Sequence, residues 1–211
     1  AGSPLGTVGI FLLGGVYATQ SGMGAVFGSQ IDMTASQVAL FVAMLFAGAL
    51  VLQYPIGWLS DRLDRRKVIF GTAVMGMAAC GLGWLAGSEA AWLDGRGHWP
   101  LMGAAFLAGG MTTPLYALLL AYTNDFLPAE DMAAASGGLV FTFGLGAILG
   151  PLATGWAMEG LGPYAFWLVL GVTFAIMALY ALYRMARRPV AATGDETDSY
   201  LGVLPTSSVV A

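Results

Sequence analysis

Six apolar runs divide this chain, and short polar or charged stretches separate them. Apolar side chains fill each run on all sides, and each lasts about 20 residues. At about 1.5 Å of rise per residue, a helix of that length crosses roughly 30 Å of hydrocarbon. The pattern predicts helical spans at residues 5–27, 36–59, 68–86, 100–124, 132–158 and 164–185. Barrel strands would instead give segments of about 10 residues with alternating polarity, and none occur here. Between the runs, Gly28, Ser29, Gln30, Ile31 and Asp32 read as a turn, and Thr34 with Gln37 fits a capping box that opens the second helix. Asp94-Gly95 marks a turn before the fourth span, and Pro114 predicts a bend within it. Pro128, Glu130 and Asp131 suit the first turn of the fifth helix. After residue 185 the apolar pattern stops, so residues 1–185 form the bundle and residues 186–211 a polar tail.

Composition supports the same class. The chain is 58% hydrophobic and 9% charged, with a mean hydropathy of +0.77. A soluble domain carries roughly 25% charged residues, so this one lacks the polar surface that water demands. Its 31 glycines suit helices that approach closely in lipid. The fold class expected is therefore an all-α integral membrane protein, a bundle of six transmembrane helices.

Basic residues set the expected orientation. Arg62, Arg65, Arg66 and Lys67 crowd the loop after the second span, and Arg184, Arg187 and Arg188 stand at the end of the sixth. Alternating spans put all seven on one side and leave Arg96 alone on the other, which predicts cytoplasmic termini in a bacterial inner membrane. Trp84, Trp92, Trp99, Trp156 and Trp167 would then form an outer aromatic belt, with Trp58 at the inner interface.

The basic loop holds more than insertion requires. In GWLSDRLDRRK, residues 57–67, Gly57, Asp61, Arg62, Arg65 and Arg66 fill the pattern G-x-x-x-D-R-x-G-R-R/K, with Asp64 where the second glycine is usual. The fifth span carries Gly146, Gly150, Pro151 and Gly155 in a G-x-x-x-G-P arrangement. In these motifs the chain resembles the major facilitator superfamily, which places them after the second helix and in the fifth helix of a six-helix half. The weaker first motif looks like that of a C-terminal half. The stretch from Pro114 to Tyr164 is similar to the bacterial YcaD-like branch. The resemblance covers nearly the whole chain and implies half of a twelve-helix fold, with Gly57, Asp61, Arg62, Arg65, Arg66, Gly150 and Pro151 in gating roles. On that reading Asp61 ends the second helix and pairs with loop arginines, while Gly57 permits close helix contact. Packing alone explains the Gly150 and Pro151 series equally well, and we read Gly76, Cys80, Gly83 and Gly87 as a packing stripe only.

The resemblance also implies that the first and fourth helices line a central cavity, flanked by the second and fifth. Tyr17 and Gln20 share a face with Gly24 in the first span, Thr112, Thr113 and Tyr116 surround Pro114 in the fourth, and Gln53 is polar within the second. These six are the candidates for substrate contact. Against this stand hydroxyls that bond back to their own helix and tyrosines that rest at an interface. No Asp, Glu, Lys, Arg or His lies in the middle of any span, so a coupling carboxylate would sit at a helix end such as Asp32 or Asp125, or in another part of the protein. The lone Cys80 and His98 make no metal site or disulfide, and no nucleophilic or phosphate-binding constellation occurs. We expect no enzyme, no cofactor and no nucleic acid. The expected partners are membrane lipid, a small-molecule substrate and a second six-helix half, from the same protein or a second copy. The chain starts at Ala1, which fits a longer protein. The reading is a secondary transporter of small organic solutes working by alternating access. Its rival is a non-transporting subunit or assembly factor of a larger membrane complex.

Overall fold

The computed structural model describes residues 4–86, 98–125 and 132–187. Within them lie six helices long and apolar enough to cross a membrane: α1 (Pro4–Gln30), α2 (Ala35–Ser60), α3 (Arg65–Leu85), α4 (Trp99–Asn124), α5 (Met132–Leu161) and α6 (Ala165–Arg187). All six predicted spans are present and no strand occurs among the described residues. The Asp94-Gly95 turn, Trp92, Arg96, Gly87, the Pro128–Asp131 loop and the tail from Arg188 lie outside the described residues.

Local chemistry explains the helix ends. The capping box forms as the sequence predicts: the Thr34 hydroxyl accepts from the Gln37 N–H, and Gln37 Oε1 accepts from the Thr34 N–H at 2.8 Å. The first helix outruns its prediction, so the turn expected at Gly28–Asp32 shrinks to Ile31 and Asp32, the latter at φ +59°. Asp64 caps α3 by accepting the Arg66 N–H at 2.9 Å, which starts that helix three residues earlier than the apolar pattern does. Arg65, Arg66 and Lys67 therefore belong to a helix, and the loop is only Asp61 to Asp64. Between α5 and α6, Gly162 at φ +87° takes a left-handed turn while its N–H bonds the Met158 carbonyl at 3.0 Å. Ala186 and Arg187 continue α6 two residues beyond the predicted end of the bundle.

The first helix is not α-helical throughout. A π-turn, Thr19–Met23, interrupts it. Before the turn α1 packs on α5 and α4; after it, on α2. Elsewhere α2 packs on α4, and α3 lies against both α6 and α4. Exchanging the first three helices for the last three carries the α2–α4 pair onto α5–α1 and the α3–α4 pair onto α6–α1. Such self-mapping is the mark of a three-plus-three internal repeat.

Glycines make both of the tightest pairings. At the α2–α4 seam a Cβ added to Gly48 would overlap the Phe106 carbonyl oxygen, and one added to Gly109 the Leu45 carbonyl. At the α1–α5 seam, Gly14 faces the Phe143 carbonyl, Gly146 faces Phe11, and Gly150 meets Gly15 backbone to backbone. Lipid tails are as apolar as the side chains, so this close contact takes the place of hydrophobic drive. The α3–α6 pairing differs, because Gly76 and Gly83 receive the rings of Phe174 and Trp167. That agrees with the packing role read for this stripe.

Trp167 corrects the aromatic belt. Instead of reaching an interface it is fully buried, packed edge-on to Phe27 and Phe41 and against Phe166 at centroid distances of 5.2–6.0 Å. Phe27 stacks on Phe166 at 5.0 Å, and the cluster ties α1, α2 and α6 together at one end of the bundle. Its position two residues into α6 points the indole inward, which composition does not reveal. Trp58, Trp84, Trp99 and Trp156 are exposed.

The seams make a direct prediction. Gly48→Leu or Gly146→Leu should cost about 1–3 kcal/mol or more by forcing two backbones apart, read as a lower midpoint of thermal unfolding in detergent. Gly71→Ala, where an added Cβ meets nothing within 4 Å, should keep or raise that midpoint by up to about 1 kcal/mol in helix propensity.

Candidate functional site

Polar residues from α1 and α4 converge beside α5. Leu13, Tyr17, Thr112, Thr113, Tyr116 and Phe143 line an open cavity of about 240 Å³, with Tyr17 exposed at its edge. Four of the six predicted substrate contacts thus share one space. Phe143, on α5, was not foreseen: Tyr17 lies 6.0 Å and Tyr116 5.5 Å from it, ring to ring, the second pair edge-to-face. It was hidden because nothing sets it apart from the other apolar residues of its span. The helical phase of α4 explains the convergence, since Thr112, Thr113 and Tyr116 fall within little more than one turn.

Gln20 lies beside this cavity, in a void of about 20 Å³ shared with Tyr17, Ser21 and Thr113. It is buried, and its Nε2 has no hydrogen-bond partner among the described residues. A buried unpaired amide costs about 1–3 kcal/mol, which a ligand or water accepting from it would offset. Its place within the π-turn fits the tendency of such turns to occur at functional positions. The turn also buries Thr19, whose hydroxyl lies 3.3 Å from that of Thr154 on α5. Thr154 in turn donates to the Gly150 carbonyl at 2.9 Å, so this polar chain braces the α1–α5 seam. Neither Thr19 nor Thr154 had a sequence signal, because a π-turn leaves no signature in the apolar pattern.

Thr112 answers to the blander expectation. It is buried and donates to the Ala108 carbonyl at 2.9 Å, which leaves its oxygen lone pairs alone for the cavity. Thr113 makes no such bond among the described residues and is half-buried against both spaces.

Gln53 lies elsewhere. It is exposed on α2 and lines a separate groove of about 720 Å³ with Tyr54, Gly57, Trp58, Asp61, Arg65 and Pro114. This groove brings Gly57, Asp61 and Arg65 of the predicted gate together with Gln53, but two details differ from expectation. A Cβ at Gly57 would meet nothing within 4 Å, so this glycine packs no helix of the bundle; the α2–α4 contact is made earlier, at Leu52 and Gly48, about one and a half and two and a half turns back. Asp61 pairs with no arginine among the described residues. It stands exposed at the end of α2, while α3 starts at once and carries Arg65 away from it. Arg65 instead forms an ion pair with Asp125 at the end of α4. Arg62 folds back over the Trp58 ring, 3.7 Å from its centroid. Gly150 and Pro151 lie in the α5 stretch of the α1–α5 seam, with Gly150 in backbone contact. Among the described residues no group of His, Cys, Asp and Glu is arranged to hold a metal.

The family model described as the Major Facilitator Superfamily matches residues 6–209. Among curated proteins, the chain is 28% identical over 134 residues to the uncharacterised MFS-type transporter YfkF of Bacillus subtilis, covering 64% of this chain and 32% of that protein. It is 30% identical over 190 residues to the uncharacterised MFS-type transporter Rv1877 of Mycobacterium tuberculosis, covering 85% and 24% respectively. A third relative, the uncharacterised MFS-type transporter Ent638_1421 of an Enterobacter species, shares 21% over 185 residues, 88% of this chain and 45% of its own. The chain thus spans less than half the length of these relatives, and their names specify no branch. No solved structure matches it significantly.

Thiol labelling tests the cavity. In a Cys80→Ala background, Thr113→Cys should react with a water-soluble maleimide at least about tenfold faster than Leu115→Cys, which sits fully buried on the same helix. Equal rates would mean that water does not reach the space beside Thr113.

Proposed function

Because the chain belongs to the Major Facilitator Superfamily, we propose that it forms the C-terminal six-helix half of a secondary transporter that moves a small organic solute by alternating access. One observation carries this reading. The most apolar stretches of α2 and α5 are each only 17% buried within the bundle. A bare lipid-facing surface would suit apolar residues, but the open face of α2 carries Gln53 and ends in Asp61. An amide at that depth is costly against hydrocarbon and acceptable against protein or a watered cavity. The two open faces therefore suit a second six-helix half, from the same protein or another copy. Tyr17, Gln20, Thr112, Thr113, Tyr116 and Phe143 would supply one wall of the solute site, with aromatic rings for an apolar body and hydroxyl or amide groups for its polar atoms. Uncharged residues of this kind favour a solute that need not be held by an ion pair. The seven-to-one split of basic residues supports cytoplasmic termini in the inner membrane of a bacterium.

Arg65 and Asp125 supply the switch in this proposal. Their pair joins α3 to α4 at the groove end, and both side chains keep access to solvent, 28% and 53% exposed. A pair in that setting is worth about 0–1 kcal/mol. This is light enough to break in each cycle, yet it shifts a two-state balance by up to about fivefold. Asp61 lines the same groove as Arg65 and remains free to meet a group of the second half.

Charge exchange tests the switch in the full-length protein. Arg65→Asp or Asp125→Arg alone should lower solute transport by about fivefold or more at equal membrane expression, and the double exchange should restore much of it. Asp61→Asn should likewise reduce transport while leaving insertion intact. Full transport by all three single variants would remove the gate from this account.

A further inference from the structure

Basic residues gather a second time where α3 begins and α6 ends. The α3–α6 contact is regular: Gly83 faces Trp167, and seven residues back along α3, Gly76 faces Phe174, seven residues on along α6. One more such step brings Ile69 level with Ala181, both fully buried. Three further residues bring Arg66 level with Arg184, with Lys67 and Arg187 beside them. Of these, Arg184 is the informative one. Its Nε is buried and has no hydrogen-bond partner among the described residues. A topology signal needs only cations in water, and it leaves this N–H unexplained. A buried charged donor without an acceptor is costly unless an anion supplies one.

We propose that this end of the α3–α6 pair binds the phosphate of an anionic phospholipid from the surrounding bilayer. Arg184 donates from the contact between the two helices, Arg187 and Lys67 from its exposed rim. The neighbouring carboxylate, Asp64, is occupied in capping α3 through the Arg66 N–H. Arg187 lies over the Tyr183 ring, 5.1 Å from its centroid, and Tyr183 stacks on Tyr180 at 6.4 Å, so the guanidinium is held at the edge of the helix. The same edge fits the rest of a lipid. Leu168, Val172, Ile176, Leu179 and Tyr183 follow one another at spacings of three and four, and all are exposed. That stripe runs about 22 Å, more than the roughly 15 Å of hydrocarbon in one leaflet. A cationic head above a long apolar track matches an acidic headgroup with its acyl chain and does not match a soluble phosphate. The site lies apart from the solute cavity and does not depend on the transport proposal.

Native mass spectrometry of the full-length protein in detergent tests it, with phosphatidylglycerol, phosphatidylcholine or glycerol 3-phosphate added separately and in competition. Phosphatidylglycerol should be retained over phosphatidylcholine, and Arg184→Gln or Arg187→Gln should each weaken its retention by about fivefold. Lys67→Gln, an exposed change at the rim, keeps the test open should Arg184→Gln fail to fold, and should weaken retention in the same direction. Equal retention of the two lipids, retention unchanged in all variants, or displacement of the lipid by glycerol 3-phosphate at matching concentration would overturn the assignment.

Discussion

Everything in this bundle depends on helix backbones touching. In lipid, two apolar helices gain little by hiding side chains from each other, since the surrounding tails are equally apolar. What remains is close contact over a long seam, and the chain obtains it with glycine at Gly48, Gly109 and Gly110 on one side and Gly14, Gly15, Gly146 and Gly150 on the other. These seams occupy equivalent places in the two three-helix repeats. The third pairing, α3 with α6, maps onto itself and is built another way, with rings set into glycine notches. A seam of backbone on backbone has no rotamers to relax. The pairs it joins are therefore suited to moving as units, with rearrangement left to the surfaces they do not bury.

The two ends of the bundle are held by forces of different character. At the Phe27 end, four fully buried aromatic residues interlock three helices, and their separation would expose several large rings at once. At the Arg65 end, one solvent-accessible ion pair joins α3 and α4 beside an open groove. One end is a clamp and the other a latch. An internal repeat alone would not give this difference, which comes from side chains laid over a nearly symmetric frame.

Much of the frame was legible in the sequence. Run length located all six helices, because hydrocarbon thickness leaves few alternatives, and the Thr34 and Gln37 box fixed the start of α2. Tyr17, Thr112, Thr113 and Tyr116 stand out in the sequence because a polar group in the middle of an apolar span needs a protein or aqueous partner, and all four line one pocket. What stayed hidden depended on which face of a helix meets which neighbour. Gly57 matched a motif but packs against nothing in this bundle, while Gly48, in no motif, makes the closest contact. The motif pairs Asp61 with a loop arginine, yet Arg65 reaches Asp125, sixty positions away in the chain. Tryptophan often sits at an interface, and only its phase on α6 shows that Trp167 fills the core.

The π-turn at Thr19–Met23 has a geometric consequence for α1. One additional residue in a turn sets every later side chain back by about 100° around the axis, relative to an unbroken α-helix. The half before the turn is thereby addressed to α5 and α4, and the half after it to α2 and the aromatic cluster, although both belong to one continuous rod. A straight α-helix of the same sequence would aim Phe27 away from Phe166 while Gly14 still faced Phe143. The length of this helix is set by the membrane, but its residue count is set by phase: it holds the number that lets a single rod serve two sets of neighbours.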